Sequence, residues 1–198
     1  MKVLAINGSP RKEGNTAAML NAVLDVLKAG GAETEIYQGG GKPVMGCLAC
    51  GKCREIAEKT GNATAVKCIT DDWVNDVYQK MLAADAIIIG SPTYFSDLTP
   101  ETKAIIDRCG YMARSTNALS RKVGAAVSAV RRAGGIHTLD SIQHFFFISD
   151  MVVPGSTYWN MSLSVAQGDF SQKDTEGQGT MKRLGENILW LLDRLLVA

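Results

Sequence analysis

Several things this chain does without narrow its identity before any residue is singled out. In 198 residues no apolar run approaches the ~20 needed to cross a bilayer, so a membrane-spanning role is set aside. The excess of one charge sign that marks most partners of nucleic acid or anionic membrane is missing: 21 Lys and Arg face 20 Asp and Glu, a formal net charge of +1. No charged-apolar-cleavage layout opens the chain, so a cytoplasmic location is the expectation. Neither the G-x-x-x-x-G-K-[ST] loop of nucleoside-triphosphate binders nor the G-x-G-x-x-G dinucleotide spacing occurs, and no internal repeat is visible. No side chain stands out as a general acid or base.

What is present is a steady alternation of strand and helix. Hydrophobic residues at 46% and charged residues at 21% suit a globular chain with a filled core, read as one domain over residues 1–198. Val3–Ile6, Glu33–Tyr37, Ala86–Ile89 and Val123–Val130 read as strands, with a fifth beginning at Met151–Val153. Helices are expected over Thr16–Lys28, Trp73–Ala83, Pro100–Met112, Ile136–Phe147 and Met181–Leu196. Ala86–Ile89 is apolar on both faces, as a central parallel strand must be. The alternation predicts an α/β fold. It is a doubly wound, five-stranded parallel sheet of flavodoxin-like order 2-1-3-4-5, with helices on both faces and ligands beyond the carboxyl ends of the strands. Two stretches break the rhythm: the cysteine-containing loop at about 39–69 and the polar segment Gln167–Thr180.

Three loops fall at the expected binding edge. "GSPRKEGNT" (8–16) leads from the first strand to the start of the first helix, where unpaired N–H groups and the helix dipole favour an anion. Ser9, Asn15 and Thr16 add side-chain donors and Arg11 or Lys12 add charge, so the guest is read as a single terminal phosphate. The competing reading is that Asn15 merely caps the helix. "GSPTYF" (90–95) follows the central strand and offers main-chain amides at Thr93, Tyr94 and Phe95 together with two rings for stacking. "RRAGG" (131–135) leaves the fourth strand through glycines that let main chain approach a ring. A phosphate at one end and a planar ring at the other describe a mononucleotide.

"GSPRKEGNT", "GSPTYF" and "AGG" in this order resemble the FMN-binding set of the NADPH-dependent FMN reductase superfamily. With "GCLACGKC" (46–53) the chain is similar to its iron–sulfur flavoprotein branch, roughly from Met1 to Gly155. The resemblance implies that Ser9, Arg11, Asn15 and Thr16 bind the FMN phosphate. It implies equally that Pro92, Thr93, Tyr94, Phe95, Gly134 and Gly135 contact the isoalloxazine. It also implies a homodimer or homotetramer with FMN near a subunit interface. The implied activity is FMN-dependent oxidoreduction, with electrons arriving as hydride from NAD(P)H or singly from a ferredoxin-like donor. They leave to a small acceptor such as a quinone, flavin or oxygen. Two other classes stand beside this enzyme: a flavodoxin-like electron carrier, which the neutral charge balance disfavours, and a redox- or metal-sensing flavoprotein without turnover.

Cys47, Cys50 and Cys53 are spaced C-x2-C-x2-C, a pattern that wraps thiolates around an iron–sulfur cluster, here a [4Fe-4S] cube with Cys68 as fourth ligand. In the resembling branch the fourth cysteine follows after a few residues, whereas here "REIAEKTGNATAVK" intervenes. Metal-free thiols beside the flavin are a second reading and zinc a third. Cys109 reads as a small buried hydrophobe, Asp71-Asp72 as a helix cap, and Phe145–Phe147 as core or subunit contact. His137 and His144 have no partner close in sequence and are read as packing or surface residues, and Tyr158-Trp159 as flavin neighbour or interface.

Overall fold

The computed structural model describes residues 1–196. Strands β1 (Lys2–Asn7), β2 (Glu33–Gln38), β3 (Ala86–Pro92), β4 (Val123–Val130) and β5 (Met161–Leu163) form one parallel sheet in the order β2-β1-β3-β4-β5. This is the order expected from the alternation. Strand residues point to opposite faces in turn, and both faces are apolar. Leu4, Ile6, Ile87 and Ile89 enter one core, and Val3, Ala5, Ala86 and Ile88 the other. Helices α1 (Asn15–Ala29) and α7 (Thr175–Leu195) close the second core. Helices α3 (Val74–Ala83), α4 (Pro100–Arg114) and α5 (Gly135–Ile148) close the first. No helix among the described residues is long and apolar enough to cross a membrane.

Three segments differ from the sequence reading. Met151–Val153 contributes only a single parallel bridge, Val152 to Val123, and β5 lies ten residues further on, beside Ser128–Val130. Pro154 lacks an N–H and ends the pairing, so the chain bows out and returns. The polar stretch Gln167–Thr180 is not a loop: it holds α6 (Asp169–Lys173) and the first turn of α7, which Asp174 caps by accepting the Gly177 N–H at 2.8 Å. Within Gly39–Ile69 the chain forms α2 (Lys52–Thr60) and a 3₁₀ turn at Ala63–Ala65, tied to the core through buried Ala57 and Val66.

Candidate functional site

The start of α1 is uncapped. Gly14 precedes the helix and has no side chain to offer, and the N–H groups of Asn15, Thr16 and Ala17 meet no acceptor among the described residues. By contrast, α4 is capped by Thr99 accepting from Thr102 N–H and α7 by Asp174. Three unpaired donors at the positive end of a 15-residue helix make a site for an anion. The turn before it is braced from strand ends. Asn7 Oδ1 accepts the Ser9 N–H at 3.1 Å while its Nδ2 donates to Gln38 Oε1 at 2.7 Å. Gln38 Nε2 in turn donates to the Ser9 and Gly40 carbonyls at 2.6 and 2.8 Å. Ser9 Oγ accepts the Arg11 N–H at 3.2 Å, and Arg11 itself lies exposed on the turn. A Cβ at Gly8 would collide with the Thr102 hydroxyl, so α4 closes this position to any side chain.

Asn15 is placed otherwise than as a cap. It is the first helical residue, and its amide is committed to the segment before α6: Nδ2 donates to Ala166 carbonyl at 2.8 Å, and Oδ1 accepts from Gly168 and Phe170 N–H at 3.0 and 3.4 Å. What Asn15 turns toward the anion position is its main-chain N–H. Thr16 is buried beneath the same turn.

The second loop is a tight turn in which Tyr94 and Asp97 exchange main-chain hydrogen bonds at 2.8 and 3.1 Å. Phe95 (φ 48°) and Ser96 (φ 65°) at its tip both adopt the left-handed region, a conformation costing non-glycine residues about 1–2 kcal/mol each. Such strain persists only where surroundings enforce it, and it clusters at sites of function. The Thr93 N–H is taken by the Ala129 carbonyl at 2.9 Å and that of Tyr94 by Asp97, which corrects the expectation that both amides are offered outward. The free amides are those of Phe95 and Ser96. The Phe95 ring is fully exposed, at 107%. Pro92 ends β3 beneath the turn, and Thr93 Oγ1 is linked to Ser128 Oγ and Thr138 Oγ1, each at 2.9 Å.

The third loop meets the second directly. Gly134 has φ +86°, and a Cβ there would sit 2.8 Å from Ser96 Cα, so glycine is required both by conformation and by closeness. Gly135 starts α5 against Val130 and Met161. His137, one turn further, brings Nε2 to 3.8 Å from Asp97 Oδ2, giving the rim a histidine–carboxylate pair.

Cys47, Cys50, Cys53 and Cys68 line one small cavity of ≈ 20 Å³ together with Arg108 and Tyr111. Its outer wall is exposed and carries Cys47 and Cys50, so it opens to solvent on that side. Ala49 (φ 49°) and Gly51 (φ 75°) wrap the wall, and Ala49 N–H donates to Cys47 Sγ at 3.4 Å. The long spacer does not carry Cys68 away. Cys53 sits in the first turn of α2, the spacer folds as that helix and the 3₁₀ turn, and Asn75 of α3 returns the chain. Asn75 Oδ1 accepts the Cys68 N–H at 2.8 Å, and its Nδ2 donates to the Cys68 and Thr70 carbonyls at 3.2 Å each. Burial pushes the Cys53 thiol up, and the neighbouring Cys68, Cys47 and Cys50 push it the same way, against a main-chain hydrogen bond from Arg54. Among the described residues no three His, Cys, Asp or Glu side chains converge as one metal ion needs, with sulfur at about 2.3 Å from zinc. A cluster instead distributes its cysteines over several irons.

The pattern of NADPH-dependent FMN reductases matches residues 1–165. The chain belongs to the NADPH-dependent FMN reductase family. It is similar to an iron–sulfur flavoprotein from Methanosarcina thermophila, 33% identical over 195 residues that cover 98% of this chain and 96% of the relative. An iron–sulfur flavoprotein from Methanocaldococcus jannaschii is 34% identical over 195 residues, covering 95% of each chain. These relatives place it on the iron–sulfur flavoprotein branch of the family. Among solved structures, the flavodoxin, WrbA-like protein from Agrobacterium tumefaciens overlays with a TM-score of 0.66 at 14% identity, over 98% of this chain and 97% of that one. At that identity the likeness speaks for the flavodoxin-like fold alone.

As a member of the FMN reductase family the chain is a flavin-dependent oxidoreductase, and its uncapped α1 fits the cofactor's phosphate. The cysteine cavity fits a sulfur-rich group for a different reason. Arg108 Nε is the single buried side-chain nitrogen or oxygen among the described residues that has no hydrogen-bond partner, and it borders the four thiols. Sequence reasoning missed the bracing residues Asn7 and Gln38, the pair Asp97–His137, and Arg108. A signal was present for Asn7, a polar residue at the carboxyl end of a strand whose four preceding residues are core. Gln38 ends a strand that is polar and largely exposed along its length, so nothing local marked it.

Proposed function

We propose that the chain is, as one domain, an FMN-dependent oxidoreductase that passes electrons from NAD(P)H or a ferredoxin-like donor to a small acceptor such as a quinone, flavin or oxygen. The observation that carries this reading is the trio of unpaired N–H groups at Asn15, Thr16 and Ala17, at the same sheet edge as the strained Phe95–Ser96 turn. In this reading the α1 start, with Ser9 and Arg11 beside it, holds the phosphate. The Pro92–Ser96 turn and Gly134–Gly135 support the isoalloxazine. Bound FMN supplies the redox chemistry, taking an electron pair as hydride or passing electrons singly. Cys47, Cys50, Cys53 and Cys68 hold a [4Fe-4S] cluster that serves the one-electron donor. Chains associate as a homodimer or homotetramer.

Gly14→Asp tests the phosphate assignment. Gly14 has φ −85° and ψ 178°, which aspartate adopts, and its Cβ would displace only the exposed Arg11 side chain 3.1 Å away. Its carboxylate would cap the Thr16 or Ala17 N–H and repel a phosphate. The expected result is an apo protein at least as stable as wild type whose FMN affinity falls tenfold or more in a flavin-fluorescence titration. Unchanged affinity refutes the assignment.

A further inference from the structure

Arg108 is in the middle of α4, 1% exposed, and its guanidinium faces the cysteine-bearing loop. Guanidinium has five N–H donors in a rigid fork. Four hydrogen bonds leave it here. Nη1 donates to Asp72 Oδ2 at 2.6 Å and the Met45 carbonyl at 3.2 Å, and Nη2 donates to Asp72 Oδ1 at 2.7 Å and the Thr70 carbonyl at 3.1 Å. Met45 lies just before Cys47 and Thr70 just after Cys68. One side chain therefore ties both ends of the loop to α4, with Asp72 as its counter-ion.

The fifth donor, Nε–H, has no partner. A buried donor left unpaired loses its hydration without compensation, the more so on a charged group, so it is not kept without a reason. The fork needs only its Nη atoms to grip Asp72 and the two carbonyls. Arg108 lines the same cavity as Cys53 and Cys68, alongside Leu48, Tyr111 and Met112, and of these Cys68 is the polar contact that acts on the guanidinium. Burial lowers the guanidinium's pKa, and contacts to Asp72 and Cys68 more than restore it, so the charge stays beside the thiols throughout the physiological range.

We infer that Arg108 is a positioning residue of the cysteine site, clamping both ends of the loop and donating its Nε–H to sulfur at Cys68. A cation that donates to a cluster ligand stabilises the more negative, reduced form, so Arg108 holds the reduction potential of the bound group up. The inference rests on the cluster reading above and adds to it the residue that tunes the cluster. It also explains why an arginine, with one donor more than the clamp uses, occupies a fully enclosed place in α4.

The test is anaerobic reconstitution with iron and sulfide, followed by counts of iron, sulfide and FMN per chain and a spectroelectrochemical titration. Arg108→Gln combined with Asp72→Asn removes the ion pair as a unit, leaving no buried charge unpaired and no net change of charge. FMN content is expected to match wild type. The iron–sulfur midpoint is expected to fall by the equivalent of a tenfold change in the reduced-to-oxidised ratio, about 59 mV for one electron, while the flavin midpoint stays in place. Arg108→Lys keeps the charge without an Nε–H, is expected to shift the midpoint the same way, and decides the matter if the double variant fails to hold iron. Full iron loading with an unmoved midpoint in these variants overturns the role of Arg108 and leaves the cluster standing. Wild-type protein that takes up neither iron nor sulfide overturns both.

Discussion

Gly14 and Asn15 are adjacent and do opposite things. Gly14 leaves three N–H groups open, and Asn15 uses every part of its amide to hold the Ala166–Phe170 segment against the start of α1. Their substitutions separate ligand binding from scaffold. Asn15→Ala removes three hydrogen bonds and is expected to lower stability by about 1–3 kcal/mol in thermal or urea unfolding of the apo protein. Its effect on FMN affinity should be smaller than that of Gly14→Asp, because the Asn15 N–H remains. An Asn15→Ala protein with wild-type stability and the larger loss of FMN would make the side chain a ligand instead of a brace. Gly134 gives the same kind of evidence for the other end of the rim. A methyl at φ +86° would press into Ser96, so Gly134→Ala is expected to disturb the Phe95–Ser96 turn and weaken FMN retention on gel filtration.

The elements divide into those written locally and those written between distant residues. The three apolar strands β1, β3 and β4 and the loops at their carboxyl ends were legible because a strand buried on both faces leaves an uninterrupted apolar run. β2 shows instead as an alternating polar edge, and Thr99-Pro100 carries its own helix-start chemistry. The braces were not legible. Asn7 with Gln38, Asp97 with His137 and Arg108 with Asp72 join positions that only the finished fold brings together. β5 was misplaced because Met151–Val153 is as apolar as a strand, while Pro154 lets it make only one bridge. The start of α7 was missed because glycines and Asp174 look like a loop until Asp174 is seen capping. The cysteine segment shows the same division. Its C-x2-C-x2-C spacing was plain, but the return of Cys68 depends on α2 and on Asn75. Cys68→Ser is therefore expected to abolish iron and sulfide binding with FMN retained. Cys109→Ser, in the core of α4, is expected to leave iron content alone and to cost about 1–3 kcal/mol for burying a hydroxyl. Equal iron content in both variants would remove Cys68 from the ligand set.

At the scale of the whole molecule, the sheet is covered on both faces but not at its β5 edge. β5 has only three residues and pairs on one side alone, and around it Tyr158, Trp159, Leu163 and Val165 are each more than half exposed. They border a groove of ≈ 460 Å³ between β5 and the start of α7. β5 itself carries no lysine or proline to blunt it, and its exposed apolar side chains, rimmed by Lys173 and Glu176, invite a second copy. A symmetric pairing buries the same patch on both partners, so one substitution acts twice in the interface. Leu163→Asp is expected to shift the sedimentation coefficient from that of a homodimer or homotetramer toward a single chain. The apo unfolding midpoint of wild type should rise with protein concentration and that of the variant should not, because association adds to the stability of the folded chain. Wild-type protein that sediments as a single chain at micromolar concentration would show the edge to be uncovered in solution. A variant that keeps the wild-type mass would place the contact elsewhere on the surface, with exposed Phe147, Ile148 and Trp190 as the next apolar positions to substitute.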